Sequence, residues 1–319
     1  YSSLRESMEK ALEGKATLLY AQGCNVVYDE QEQKDGELGK TIARGDDAQM
    51  EAEALEAARQ ADVIVCAMGE TADMSGECAS RTDLRMPDAQ RHLLTQLART
   101  GKPIVLLNFS GRPTVLTWEQ EHLPAIMNVW FGGSEAADAI CDVIFGDKLP
   151  CGKLTASIPK TTGQEPLYYN HLNTGRPVPD DNPRFAKFAS NYLDVRNGAL
   201  YPFGYGLSYT TFEYGPLQIS ADHTATIRVT NTGSRAADEI VQLYIRDKVA
   251  SISRPVKELK AFRRIHLAAG ESQDVSFQIT PDMLKFYNAD LQYVLEPGEF
   301  DIMVGPNSRD TKNGTISVK

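Results

Sequence analysis

Val63-Ile64-Val65-Cys66-Ala67-Met68, followed at once by Gly69-Glu70-Thr71-Ala72-Asp73-Met74-Ser75-Gly76-Glu77-Cys78-Ala79-Ser80-Arg81-Thr82-Asp83, is the stretch that decides the fold. The uninterrupted apolar run reads as a strand buried on both faces, and the helix signalled at Pro87 closes the segment behind it. The polar loop therefore leaves the carboxyl end of a strand. In open α/β sheets ligands and reacting groups collect at that end, so Glu70, Asp73, Glu77, Arg81 and Asp83 are the first candidates for chemistry. Acidic loops are commonly no more than solvated surface, and spacing alone singles out none of these carboxylates.

Working outward, Leu4, Met8, Ala11 and Leu12 mark an amphipathic helix over Ser3 to Glu13, stopped by Gly14. Ala16 to Tyr20 is expected to be a short strand and the glycine-bearing stretch Asp29 to Arg44 a loop. An alanine-rich helix is expected from Asp46-Asp47 to about Gln60. After the central loop come a helix from Pro87, an apolar strand at Pro103 to Asn108, and another at Ala125 to Trp130. A helix capped by Ser134 and ended by Gly146 follows. Continuous apolar strands alternating with helices predict a parallel sheet covered on both faces.

Beyond Tyr209 the period changes to two. Ala225-Ile227-Val229, Val241-Leu243-Ile245, Val275-Phe277-Ile279 and Phe300-Ile302-Val304 alternate with polar residues, and turns such as Asn231-Thr232-Gly233 and Pro297-Gly298-Glu299 separate them. About seven short strands in roughly a hundred residues predict a β-sandwich of the immunoglobulin or fibronectin type III kind. The Asn-, Pro-, Tyr- and Arg-rich stretch Leu167 to Arg196 is read as an ordered linker.

The totals narrow the function. With 43 acidic against 33 basic residues in 319, a net charge of -10, the chain is a poor partner for nucleic acid or an anionic membrane. No stretch has the apolar length to span a bilayer, and Tyr1 to Glu6 carries no secretion signal. Five widely spaced cysteines form no metal-binding cluster. Cys66 and Cys141 are expected in cores, and Cys78 stands beside Glu77 with no neighbouring histidine. His92, His122, His171, His223 and His266 show no triad spacing. No metal or cofactor is called for.

One by one the remaining motifs are weak: Gly132-Gly133-Ser134-Glu135 reads first as a tight turn, since no Lys-Ser/Thr follows it. Their order is distinctive. Gly69-Glu70, Ser75-Gly76-Glu77, Ser80-Arg81-Thr82-Asp83-Leu84, Pro87-Asp88-Ala89-Gln90, Gly111-Arg112-Pro113, Trp130-Phe131-Gly132-Gly133-Ser134-Glu135-Ala136, Phe145-Gly146-Asp147, Gly152-Lys153-Leu154, Tyr201-Pro202-Phe203-Gly204-Tyr205-Gly206-Leu207-Ser208-Tyr209 and Val229-Thr230-Asn231-Thr232-Gly233 together resemble the C-terminal half of a glycoside hydrolase family 3 β-glucosidase, of the bacterial periplasmic type in particular.

The resemblance implies a (β/α)8 barrel, which this sequence lacks, then an (α/β)6 sandwich with a mostly parallel sheet and a fibronectin type III-like domain. It places an N-terminally incomplete sandwich domain at 1–166, an ordered linker at 167–214 and the fibronectin type III-like domain at 215–319. It implies a retaining, exo-acting β-glycosidase in which an Asp of the barrel is the nucleophile and a Glu of the sandwich domain is the general acid/base. By the motif match that residue is Glu77. Glu70 is expected to hold the loop, Arg81 and Asp83 to pair with each other, and Arg176 to lie near the active-site rim. Implied partners are a β-linked oligosaccharide or glucoside and a barrel domain, in the same polypeptide or as a second chain; the implied location is the periplasm or outside the cell. The alternative is a non-catalytic scaffold or carbohydrate-binding fragment.

Overall fold

The computed structural model describes residues 1–31, 44–179 and 187–319. Residues 32–43 of the loop expected between Asp29 and Arg44, and 180–186 of the stretch Leu167 to Arg196, lie outside the described residues. The chain divides into two compact units: Tyr1–Asp147 with Pro159–Glu165, and Lys148–Ile158 with Pro166–Lys319.

In the first unit, helix α1 (Leu4–Leu12) opens on a capping box in which Ser3 and Glu6 bond each other's backbone amides. Helix α2 (Asp47–Gln60) is capped by the Asp46 carboxylate, which accepts the Gln49 amide at 2.8 Å. Strand β1 (Ile64–Gly69) and helix α3 (Asp88–Ala98) stand where expected, but β1 is not buried on both faces: Cys66 and Met68 are buried, whereas Ala67 and the preceding Val63 are exposed. Strand β2 (Ile104–Phe109), helix α4 (Thr117–His122), strand β3 (Ala125–Asn128) and helix α5 (Ala136–Ile144) follow in turn. The strands are parallel in the order β1-β2-β3, with Ile64 opposite Ile104 and Val105 opposite Ala125. Leu94, Ile104 and Leu106 are the most deeply buried members of a core that also takes Ala54, Ala58, Cys66 and Leu97. Cys141 is buried as well.

Three local expectations are corrected. Ala16 to Tyr20 is not a strand: no described strand pairs with it, and Leu19 and Tyr20 face solvent. The strand expected to reach Trp130 ends at Asn128, because Trp130 turns to φ +53. Ser134 does not cap helix α5. A turn from the Ala136 amide to the Gly133 carbonyl, with Gly133 at φ +77, delays the helix to Ala136, and Glu135 occupies the cap without a side-chain bond.

The second unit is antiparallel. One sheet has the order β13-β12-β7-β8, formed by Lys312–Val318 (β13), Gly298–Gly305 (β12), Ala237–Asp247 (β7) and Glu258–Leu267 (β8). The other pairs strand β6 (Thr224–Asn231) with Phe212–Tyr214 (β4), Gln218–Ile219 (β5) and Ser272–Gln278 (β9). A short hairpin joins Phe286–Tyr287 (β10) to Tyr293–Val294 (β11), just after the one-turn helix α6 (Pro281–Leu284). The period-two residues meet inside: Ile227, Val229, Val241, Leu243, Val275, Phe300, Ile302 and Val304 form one core.

Two glycine-rich motifs find a physical reason here. Leu154 bonds the glycine-rich segment twice, its amide donating to Tyr205 O at 2.8 Å and its carbonyl accepting the Gly204 amide at 2.8 Å. A side chain at Gly206 would strike the Gly152 carbonyl, its Cβ only 2.2 Å from that oxygen. The close approach puts the Lys153 ammonium 3.1 and 3.2 Å from the two Glu239 carboxylate oxygens and 3.0 Å from Gly206 O. Among the described residues no helix is long and apolar enough to cross a membrane.

Candidate active site

The carboxyl end of β1 is fastened from two sides. The Gln90 side chain on α3 accepts the Gly69 amide at 2.7 Å and donates to the Gly69 carbonyl at 3.0 Å, so an amide stands in for a neighbouring strand. On the other side Glu70 N donates to Phe109 O at 2.7 Å. Gly69 sits at φ +140, where an added Cβ would fall 1.8 Å from that same carbonyl oxygen.

Glu70 is buried, with its side chain only 1% exposed, and its two oxygens are fully committed. Oε1 lies 3.0 Å from Arg81 Nη1, and Oε2 accepts the Ser110 hydroxyl at 2.6 Å. Arg112 Nε stands 3.1 Å from Oε1, close enough for ion pairing though off the line of a hydrogen bond. A buried carboxylate without such partners would be strongly destabilising, and two guanidinium groups and a hydroxyl meet that need.

Arg112 also reaches the loop. Its Nη2 donates to the carbonyl of Met74 and, at 2.7 Å, to the carbonyl of Ala79. The chain makes a 3-10 turn at Ala72–Met74 and then, between those two carbonyls, a tight turn closed by Ala79 N to Gly76 O at 3.3 Å. Cys78, in the third position of that turn, has φ +62, a conformation usually given to glycine. Glu77 occupies the second position and is exposed at the tip. Gly111 lets the loop lie close to β2's end, since a Cβ there would come within 1.9 Å of Ser75 Oγ.

Arg81 and Asp83 do not pair. Arg81 is spent on Glu70, and Asp83 accepts instead from Arg85 Nε at 2.9 Å and Nη2 at 2.6 Å. Burial explains the exchange: the enclosed carboxylate has the larger need for a cation, while Asp83 is about half exposed. The Arg85 hydrogen bonds hold the Asp83 carboxyl down to about 2, below its ordinary 3.8. Because the folded state keeps this charge to lower pH than the unfolded chain does, the pair stabilises fully above pH 3.8 and the contribution is lost as pH falls towards 2. Solvent screening keeps it small. Asp83→Asn is expected to cost under about 1 kcal/mol at pH 7, and the gap from the parent protein should narrow by pH 3, as thermal unfolding at the two pH values would show.

Arg176 belongs to the second unit, where it is exposed, its Nη1 donates to Phe188 O at 3.1 Å and its carbonyl accepts the Ser190 amide. Sequence reasoning singled out neither Ser110 nor Arg112 as part of the site. A signal was present, since Ser110-Gly111-Arg112-Pro113 directly follows an apolar parallel strand, the position at which site residues gather.

Residues 1–209 match the glycosyl hydrolase family 3 C-terminal domain, and residues 239–308 match a fibronectin type III-like domain. A periplasmic β-glucosidase of Salmonella typhimurium is 43% identical over 98% of this chain and 42% of its own length. A β-xylosidase of Formosa agariphila is 36% identical over all of this chain and 42% of its own. Among solved structures, a β-glucosidase from Erythrobacter marinus superposes with a TM-score of 0.85 at 32% identity, covering 99% of this chain and 43% of that one. A mutant β-glucosidase from Listeria innocua in complex with laminaribiose does so with a TM-score of 0.78 at 39% identity, over 84% and 38%. The chain thus spans about two fifths of the length of these relatives. By sequence and by structure it belongs to glycosyl hydrolase family 3, of which it carries the C-terminal domain together with a fibronectin type III-like domain.

Proposed function

We propose that this chain supplies Glu77 as the general acid/base of a retaining, exo-acting β-glycosidase that acts on β-linked glucosides or gluco-oligosaccharides. The nucleophile is an Asp of a barrel domain, carried by the same polypeptide or by a second one, and this chain alone turns over no glycoside. The observation that supports the reading is the loop itself. It presents the exposed Glu77 at the tip of a turn tied at both flanks, whereas the rival Glu70 has both oxygens engaged below, the exposed Asp73 lies ahead of the tied turn and Asp83 is paired with Arg85. The likeness to glucosidases, one of them crystallised with laminaribiose, supports the substrate class, and the periplasmic relative supports export from the cytoplasm.

In the first half of the reaction the nucleophile's carboxylate bonds to the anomeric carbon. The glycosidic C–O bond breaks as Glu77 gives its proton to the departing oxygen. In the second half Glu77, now ionised, takes a proton from water. The water oxygen bonds to the anomeric carbon, and the ester to the nucleophile breaks.

The test is Glu77→Gly in the intact enzyme. An alkyl β-glucoside, whose leaving group needs the proton, should be cleaved about a hundredfold more slowly. A dinitrophenyl β-glucoside should still form the glycosyl-enzyme at near the parent rate, and azide should restore turnover. Equal rates for parent and variant on both substrates would end the assignment.

A further inference from the structure

We infer that Arg112 is a positioning residue for Glu77: one guanidinium, fixed by the buried Glu70, clamps the two carbonyls that bracket the Glu77 turn. The inference rests on the reading of Glu77 as acid/base and adds a residue to it.

Four residues, Ser75, Gly76, Glu77 and Cys78, lie between the two carbonyls that Arg112 grips, those of Met74 and Ala79. Within that span the turn has one backbone bond of its own, and two of its residues, Gly76 at φ +121 and Cys78 at φ +62, hold left-handed conformations. Such a segment has little intrinsic preference for one shape, so its position follows what grips its ends. Arg112 is itself immobilised. Its amide donates to Ser110 Oγ at 3.1 Å, its Nε lies 3.1 Å from Glu70, and its side chain is 20% exposed. The connection from the rigid sheet to the exposed carboxylate therefore runs from β2's end through Ser110, Glu70 and Arg112 to the loop. A planar guanidinium has donors enough to serve a carboxylate and two carbonyls at once; a lysine ammonium at the end of a flexible stem does not reproduce that fork.

Proton donation demands that Glu77 stand within hydrogen-bond reach of the departing oxygen, and a displacement of about 1 Å can cost as much as a hundredfold in rate. Two variants of the intact enzyme test the clamp. Arg112→Met removes it; Arg112→Lys keeps a cation beside Glu70, so the fold is retained, but releases the bracket. Both should slow cleavage of an alkyl β-glucoside by about ten- to a hundredfold while a dinitrophenyl β-glucoside forms the glycosyl-enzyme at near the parent rate. Arg112→Lys placed in the Glu77→Gly background should add no further leaving-group sensitivity, since the two changes remove one function. If Arg112→Lys slows both substrates in the same proportion, or neither, while Glu77→Gly keeps its selective defect, the inference is overturned and the acid/base assignment survives. If Glu77→Gly itself shows no selectivity, the acid/base assignment fails first, whatever Arg112 does.

Discussion

Gly69→Ala should cost the first unit about 4 kcal/mol or more, a large share of the roughly 5–15 kcal/mol by which a typical domain is stable. At Gly69 the new methyl carbon would fall 1.8 Å from Phe109 O, 2.7 Å from its carbonyl carbon and 2.8 Å from its nitrogen. All three are backbone atoms of β2, the strand paired directly opposite, so no rotamer change relieves the clash. The strand ends would have to part. That breaks the Glu70 N to Phe109 O bond and moves the buried Glu70 carboxylate away from Ser110. Backbone strain alone is a smaller matter, and Gly101 isolates it: φ there is +73 and nothing lies within 4 Å of an added Cβ. Gly101→Ala should cost about 1–2 kcal/mol. Urea unfolding of the two variants separates the contributions, and a Gly69→Ala protein no weaker than Gly101→Ala would mean that β1 and β2 do not meet in this register.

Lys153→Met should destabilise the second unit by about 3–5 kcal/mol, because it strips the cation from an enclosed carboxylate. Lys153 is 11% exposed and Glu239 5% exposed as side chains, and both Glu239 oxygens lie near 3 Å from the ammonium. The other neighbour, Tyr214, donates its hydroxyl to Glu239 at 2.9 Å. It cannot take over the charge. Burial and the Glu239 carboxylate push the tyrosine far above its usual range, so it stays a neutral donor. Replacing both partners, Lys153→Met with Glu239→Leu, should restore much of the loss, since apolar groups of similar size leave no orphaned charge. Denaturant unfolding followed by near-ultraviolet signals of the second unit would decide it: a single variant within about 1 kcal/mol of the parent would show the pair to be wet and weak.

Much of this architecture can be read from residue order. Six apolar residues in a row at Val63–Met68, with Pro87 behind the loop, specify a parallel strand and the helix after it, though not its burial on both faces, since Val63 and Ala67 are exposed. The alternation at Ile227, Val229, Leu243 and Ile302 specifies half-buried strands just as directly. Ala16 to Tyr20 misleads because an apolar run says nothing about whether a neighbour offers a ladder. The site is less legible for a related reason. Glu70 is 40 residues from Ser110 and 42 from Arg112 in sequence, and only the β1–β2 register brings them together. The misassigned Arg81–Asp83 pair shows the same limit: proximity in sequence favours Asp83, but burial at Glu70 decides, and burial is a property of the folded sheet.

The way the chain is shared between the units restricts how such a protein can be recombined. Lys148–Ile158 is built into the β-rich unit, Pro159–Glu165 returns to the first unit, and Pro166 resumes the second. The path crosses over three times, so no single splice point yields two whole pieces. A sandwich excised from residue 215 onward would leave Lys153 behind and retain Glu239 with its charge and no ammonium. Exchange between homologues should then be tolerated only when the crossover segment travels with the sandwich. In inheritance, as in engineering, the portable cassette is discontinuous: a strap of eleven residues and a body more than a hundred residues long, kept in step by one lysine.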